Sequence, residues 1–209
     1  SLIRGEDVLD LGIPEKAILP VTKEVYDKIA VRENSGGLMA VAEQKTHRLT
    51  DLRVGANPLI VVLESIEKPG NLGAILRTAD AAGVDAVIVC DPQTDIYNPN
   101  VIRSSIGCIF TVPLAVASSE EAIDWLGDRT IRIYGAALQN AKPYHTQDFT
   151  KPCAIVMGTE STGLTETWTK RSHANIIIPM SGIADSMNVS TAAAVLIFEA
   201  RRQRGFAQL

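Results

Sequence analysis

Between Ile176 and Phe198 the chain passes from one buried element to another through a polar loop. Ile176-Ile177-Ile178 is a β-branched run that Pro179 stops, so it reads as the end of a buried strand. Gly182 lets the loop turn, Ser190 can cap a helix, and Thr191 to Phe198 is apolar on every side, as in a helix buried at its start. Ser186 and Asn188 are thereby held just before a helix N-terminus. Burying such groups costs free energy unless something bonds them, either the chain's own backbone or a ligand. Two other stretches have the same form. Leu59 to Leu63 leads into Lys68-Pro69-Gly70-Asn71-Leu72-Gly73 and on to Arg77, and Ala154 to Met157 leads into Gly158-Thr159-Glu160-Ser161-Thr162-Gly163-Leu164. In an open α/β sheet such loops gather at the carboxyl edge of the strands, where ligands bind.

The rest of the chain fits that architecture. Strands are predicted at 59–63, 86–90, 109–112, 131–136, 153–157 and 175–178, and helices at 72–82, 99–106, 119–126, 165–172 and 190–204. This alternation predicts an α/β fold with a mostly parallel sheet covered by helices on both faces. A polar stretch from Gln44 to Pro58, punctuated by Gly55-Ala56-Asn57-Pro58, marks a domain boundary and divides the chain into 1–57 and 58–209. The shorter part reads as an opening loop, a strand at 17–21, a helix at 22–30 and a strand at 38–42. Some forty residues seldom fold alone, so this part is expected to belong to a larger unit. The chain opens Ser1-Leu2 without Met and is read as carrying an expression scar or as a truncated form.

Composition narrows the function. The 209 residues carry a formal net charge of -4, which argues against indiscriminate nucleic-acid binding but leaves room for a local basic face. Arg77 and Arg103 follow loop motifs, and Arg201, Arg202 and Arg204 crowd the last helix, where cations are favoured whatever the function. Cys90, Cys108 and Cys153 and the three histidines are scattered without metal or redox spacing, so no metal site is expected. No apolar run is long enough to cross a bilayer, and a soluble, cytoplasmic protein is the expectation. The dinucleotide and phosphate-loop glycine patterns are absent, which disfavours a dehydrogenase or NTPase.

The three loop stretches together resemble the motifs of the SpoU (TrmH-like) family of RNA ribose 2'-O-methyltransferases, within the SPOUT superfamily. The first motif is carried by Asn71, Gly73, Arg77, Thr78, Ala79, Ala82 and Gly83. The second is carried by Gly158, Glu160, Gly163 and Leu164, and the third by Ile178, Pro179, Met180, Ser186, Asn188, Val189 and Ser190. Met187 stands where the family usually has Leu, a mild exchange of apolar side chains. The resemblance covers about residues 58 to 204.

It implies a C-terminal trefoil knot, S-adenosylmethionine as methyl donor without a metal, an RNA substrate, ribosomal before transfer RNA, and a homodimer. A relative that binds RNA without catalysis is the rival from another class. The resemblance further implies that residues 1–57 hold the end of a ribosomal-protein-like RNA-binding domain, and that Gly158, Ile178 and Met187, with Ala137 nearby, hold the donor. It assigns Arg77 to the ribose hydroxyl and Ser186 to the target nucleotide. Glu160 reads as an organiser whose partners include Asn71, and Asn71 and Asn188 suit the orienting of a ribose or a loop. An ordinary turn-forming Asn, a backbone-bonding Ser, or an Arg that merely pairs with Glu160 or Asp80 is the competing reading at each position.

Overall fold

A computed structural model of the chain describes residues 12–30 and 36–206. The loop expected before residue 12 lies outside the described residues. The chain divides into two compact units, Ser1–Lys45 and Thr46–Leu209.

Among the described residues of the smaller unit a helix, α1 (Lys23–Ile29), is started by Thr22, whose hydroxyl accepts from the Val25 amide at 3.4 Å. Tyr26 Oη donates to the Leu38 carbonyl at 3.2 Å. None of its described residues is buried. The strands expected at 17–21 and 38–42 do not form. Glu15–Ala17 is a 3-10 turn, and Pro20 lacks the N–H that a strand's ladder would use.

The larger unit is built on seven parallel strands among the described residues: β1 (Leu59–Glu64), β2 (Ala86–Cys90), β3 (Leu114–Ala117), β4 (Arg132–Ala136), β5 (Lys142–Pro143), β6 (Cys153–Met157) and β7 (Ala174–Ile177). Their order is β3-β2-β1-β6-β4-β7-β5, so β6 lies between two strands that precede it in sequence. Strand β1 is buried on both faces. Leu59, Val61 and Leu63 join the core with α2 (Pro69–Ala82) and α6 (Val189–Arg204) on one side. Ile60 and Val62 face the core of α4 (Ser119–Asp128) and α5 (Glu166–Arg171) on the other. The remaining helix is α3 (Pro99–Ser105). The expected α/β sheet with helices on both faces is present.

One expected strand is displaced. Residues 109–112 read as a strand from their apolar run, yet Cys108–Phe110 is a 3-10 turn and the strand is β3, beyond Pro113. Ile106 and Gly107 both adopt positive φ, 52° and 88°, and send the backbone into a turn where extended residues were expected.

Helices α2 and α3 meet at Gly73. A Cβ there would stand 1.9 Å from Ser104 Oγ and 2.8 Å from both the Ser105 nitrogen and the Val101 carbonyl oxygen, so the glycine sets how closely the helices approach. Gly73→Ala is expected to destabilise the unit by about 1–3 kcal/mol, the usual cost of overpacking, read as a lower denaturant midpoint at unchanged slope.

The last helix is tied down by its arginines. Arg201 donates to the carbonyls of Ala82 (2.6 Å) and Gly83, and Arg202 pairs with Glu199. Arg204 reaches the carbonyls of Asn57, Pro58, Phe149 and Lys151. These three cations are committed within the fold, so the local basic face must be sought elsewhere.

Candidate active site

The carboxyl ends of β1, β6 and β7 lead to the three loops picked out in the sequence. Glu64, the last residue of β1, is 4% exposed, and its carboxylate accepts from the Thr165 amide (2.9 Å) and hydroxyl (2.7 Å). It thereby fixes the far end of the loop after β6 at the start of α5. Within that loop Thr159 and Gly163 exchange backbone hydrogen bonds of 3.2 and 3.1 Å, folding the chain back over Gly158. Gly158 is buried, and a Cβ on it would lie 2.2 Å from the Gly163 carbonyl carbon.

Glu160 stands at the tip of this turn and is the hub of the site. Its Oε1 accepts from Asn71 Nδ2 (3.0 Å) and Asn188 Nδ2 (2.7 Å), while Lys68 Nζ bonds its Oε2. Asn188 Nδ2 also reaches Asn71 Oδ1 at 3.1 Å. One side chain from each loop motif, with Lys68, therefore meets at a single carboxylate. The hydrogen bond and charge of Lys68, with the Asn71 amide, hold the Glu160 carboxyl below the usual glutamate range, and Glu160 in turn raises Lys68. A group with a lowered folded pKa contributes stability above its unfolded value and loses it as pH falls through the folded one. The cluster should stay assembled in mildly acid solution. Lys68→Met should move the acid limit of ligand binding at this site up toward 4.5, the ordinary glutamate value, followed by calorimetric titration from neutrality into the acid range.

The structure revises two details. Asn188, not Ser190, is the N-cap of α6: its Oδ1 accepts from the Ser190 amide (2.9 Å) and hydroxyl (2.6 Å). Asn71 lies inside the first turn of α2, which begins at Pro69. The capping and clustering roles of Asn188 coexist, because its oxygen serves the helix and its nitrogen serves Glu160 and Asn71.

The other predicted positions border this cluster to different degrees. Ser186 is exposed and takes no part in it, its hydroxyl donating to Asp185 at 3.2 Å. Met187 and Ile178 are half-buried, with Ile178 packed against the core. Ala137, also half-buried, donates its amide to the Ile176 carbonyl at 3.1 Å and so joins the loop after β4 to β7. Among the described residues, positions 180–187 make no backbone–backbone hydrogen bond. Their N–H and C=O groups are open to a ligand at the sheet edge. Arg77 is exposed on α2 and forms no ion pair or hydrogen bond among the described residues. Neither competing partner is in use: Glu160 is taken by Lys68, and Asp80 accepts from the Thr111 hydroxyl at 3.1 Å.

Sequence reading missed Lys68, Glu64 and Thr165. Lys68 and Glu160 are 92 residues apart, and nothing local announces the pair. Glu64 did carry a signal, a carboxylate closing an otherwise apolar buried run.

A parallel sheet whose carboxyl-edge loops converge on one hydrogen-bonded carboxylate defines an open-sheet α/β protein of the ligand-binding class. The profile of the SpoU rRNA methylase family matches residues 58–198. The chain belongs to this family. Over 181 residues, 87% of its length, it is 30% identical to the 23S rRNA (guanosine(2553)-2'-O)-methyltransferase RlmP of Bacillus subtilis, covering 71% of that protein. It is 34% identical over 173 residues, 80% of its length, to the 23S rRNA (uridine(2479)-2'-O)-methyltransferase of Streptomyces viridochromogenes, of which it covers 60%. The crystal structure of an AdoMet-bound rRNA methyltransferase from Sinorhizobium meliloti superposes with a TM-score of 0.83 at 33% identity, over 87% of this chain and 70% of that one.

Proposed function

We propose that the chain is an S-adenosylmethionine-dependent RNA ribose 2'-O-methyltransferase whose substrate is ribosomal RNA. The observation that carries this reading is the meeting of Asn71, Glu160 and Asn188, one from each family motif, with Arg77 exposed on the helix that carries Asn71 and in no ion pair or hydrogen bond among the described residues. The 23S rRNA 2'-O-methyltransferases among its relatives support the reaction and the class of RNA. They differ in the nucleotide named, guanosine or uridine, so the target base is an independent property of this chain.

The donor fits the site in two respects. Gly158 is folded too tightly for any side chain, leaving bare backbone at the sheet edge, and the loop at 180–187 offers uncommitted backbone groups flanked by the apolar Ile178, Met187 and Ala137. Gly158, Ile178, Met187 and Ala137 hold the donor in this reading. Bound there, it supplies an electrophilic methyl group on a sulfonium. Glu160 keeps the three loops in register, and Asn71 and Asn188 orient the loops around the ribose. Ser186, exposed on the third loop, contacts the target nucleotide. Arg77, charged at any ordinary pH, grips a flanking phosphate and stabilises the negative charge that develops on the 2'-oxygen, while the proton leaves to water or a phosphate oxygen.

The same reading carries a trefoil knot in the C-terminal part, a homodimer, a cytoplasmic location, and residues 1–57 as part of an RNA-binding domain ahead of the catalytic 58–209. The late insertion of β6 between β1 and β4 is the feature of the sheet that agrees with a knot.

The test is methyl transfer from labelled donor to unmodified ribosomal and transfer RNA transcripts, with the product located as a 2'-O-methyl nucleoside by mass spectrometry. Label in one ribose of the ribosomal transcript is the expected result. Label only in transfer RNA would move the substrate assignment, and donor binding without transfer to either RNA would favour the non-catalytic relative.

A further inference from the structure

We infer that Phe110, braced by Tyr97, is a stacking platform for an unpaired base of the RNA substrate, beside the nucleotide served by Arg77. The inference rests on the function proposed above and adds to it a surface that none of the three loop motifs contains.

The crossing of α2 and α3 at Gly73 brings the end of α3 alongside the next turn of α2, where Arg77 lies. Helix α3 ends at Ile106 in the left-handed region, with φ 52°, a conformation that a β-branched residue adopts at a cost and glycine adopts freely. Its side chain is nevertheless 66% exposed. The 3-10 turn Cys108–Phe110 follows and is pinned to α2 by the bond from Thr111 to Asp80. The charge of Arg77 is felt at Cys108, where it opposes the upward push of burial and Asp80 on the thiol.

Phe110 is 56% exposed, yet its ring is not loose. Tyr97 stacks on it with centroids 6.3 Å apart and planes at 28°, and Tyr97 Oη lies 2.6 Å from His47 Nε2. A fixed, half-exposed aromatic ring with an apolar neighbour is what a splayed-out base stacks on, and sequence-specific RNA recognition works chiefly on such unpaired bases. The charge beside it agrees. Arg77 acts at Cys108, two residues before the ring, and Arg103 lies in the last turn of the helix that leads into it; both are exposed and neither enters an ion pair among the described residues, in a chain of net charge -4. A second copy of the chain suits this patch less well, because a two-fold interface centred here would set the arginines of one copy against those of the other.

The experiment compares Phe110→Leu, Phe110→Trp and Ile106→Gly with the unaltered chain. It measures the KM for an unmodified 23S rRNA transcript, donor affinity, thermal melting and sedimentation. If base stacking is the function, Phe110→Leu raises the RNA KM about tenfold, and Phe110→Trp stays within about twofold, because stacking tolerates any aromatic ring. Donor affinity and sedimentation should not change. Ile106→Gly should weaken RNA binding without lowering the melting temperature, since it relieves the left-handed strain. An unchanged RNA KM in Phe110→Leu, with the unaltered chain active, would overturn the platform and leave the proposed function standing. A change of oligomeric state in step with KM would reassign the patch to a subunit interface. If the unaltered chain transfers no methyl group to RNA, the functional reading fails and the platform with it.

Discussion

Arg77→Ala is expected to bind S-adenosylmethionine as the unaltered chain does and to methylate its RNA about a hundredfold to a thousandfold more slowly, the usual loss when one charge-stabilising donor is removed. The structure sharpens the grounds. An arginine that served the fold would be paired, as Arg201, Arg202 and Arg204 are, whereas Arg77 is exposed and unpaired among the described residues. Its removal should therefore leave the melting temperature within the small range typical of surface substitutions. Arg77→Lys separates two roles. If positive charge on the forming alkoxide is what matters, lysine should recover part of the rate. If the flat, two-pronged guanidinium is needed to grip phosphate, lysine should recover little. Single-turnover methylation at saturating donor gives the rate without product release, and near-normal transfer by Arg77→Ala would remove the residue from the mechanism.

Gly158→Ala should fail earlier, at the donor. A methyl group at this position would overlap the backbone of Gly163 and Leu164, at 2.2 to 2.5 Å, and those atoms belong to a turn closed by the Thr159–Gly163 pair and anchored by Glu64 through Thr165. No side chain can swing aside to make room. The loop must open, and when it opens Glu160 leaves Asn71 and Asn188. The expected result is loss of measurable donor binding, with α6 and the sheet still folded as judged by circular dichroism. Donor affinity within about threefold of the unaltered chain, a difference of well under 1 kcal/mol, would mean that this turn is not part of the donor cradle.

The two substitutions also mark what the sequence could and could not reveal. Gly158 and Arg77 stood out because the resemblance placed each in a family motif, and those motifs follow strand ends that were legible from runs such as Leu59–Glu64, buried on both faces. The helix at 189–204 was visible within one residue of its start, but its cap was misassigned. Ser190 and Asn188 are equally good cap residues by type, and only the backbone bond from Ser190 to Asn188 Oδ1 decides between them. The strand expected at 109–112 failed for another reason: left-handed Ile106 is an improbable state for isoleucine, so composition pointed away from the turn that forms. The convergence of Lys68, Asn71, Asn188 and Glu160 was half legible. The asparagines were flagged and Asn71 was expected to pair with Glu160, but the lysine was invisible because no local periodicity encodes a contact across 92 residues.

The sheet order has a consequence for how the chain comes into being. On a ribosome, β1 and β4 emerge before β6, so the central slot between them stays empty until residue 153 has been made. During that interval both neighbours present unpaired edges, the condition under which nascent chains associate wrongly. The carboxylate hub, and the helix that brings Asn188 to it, arrive later still. Binding competence is thus acquired only after Asn188 and the helix it caps have been made, well after the strands on which the site is built.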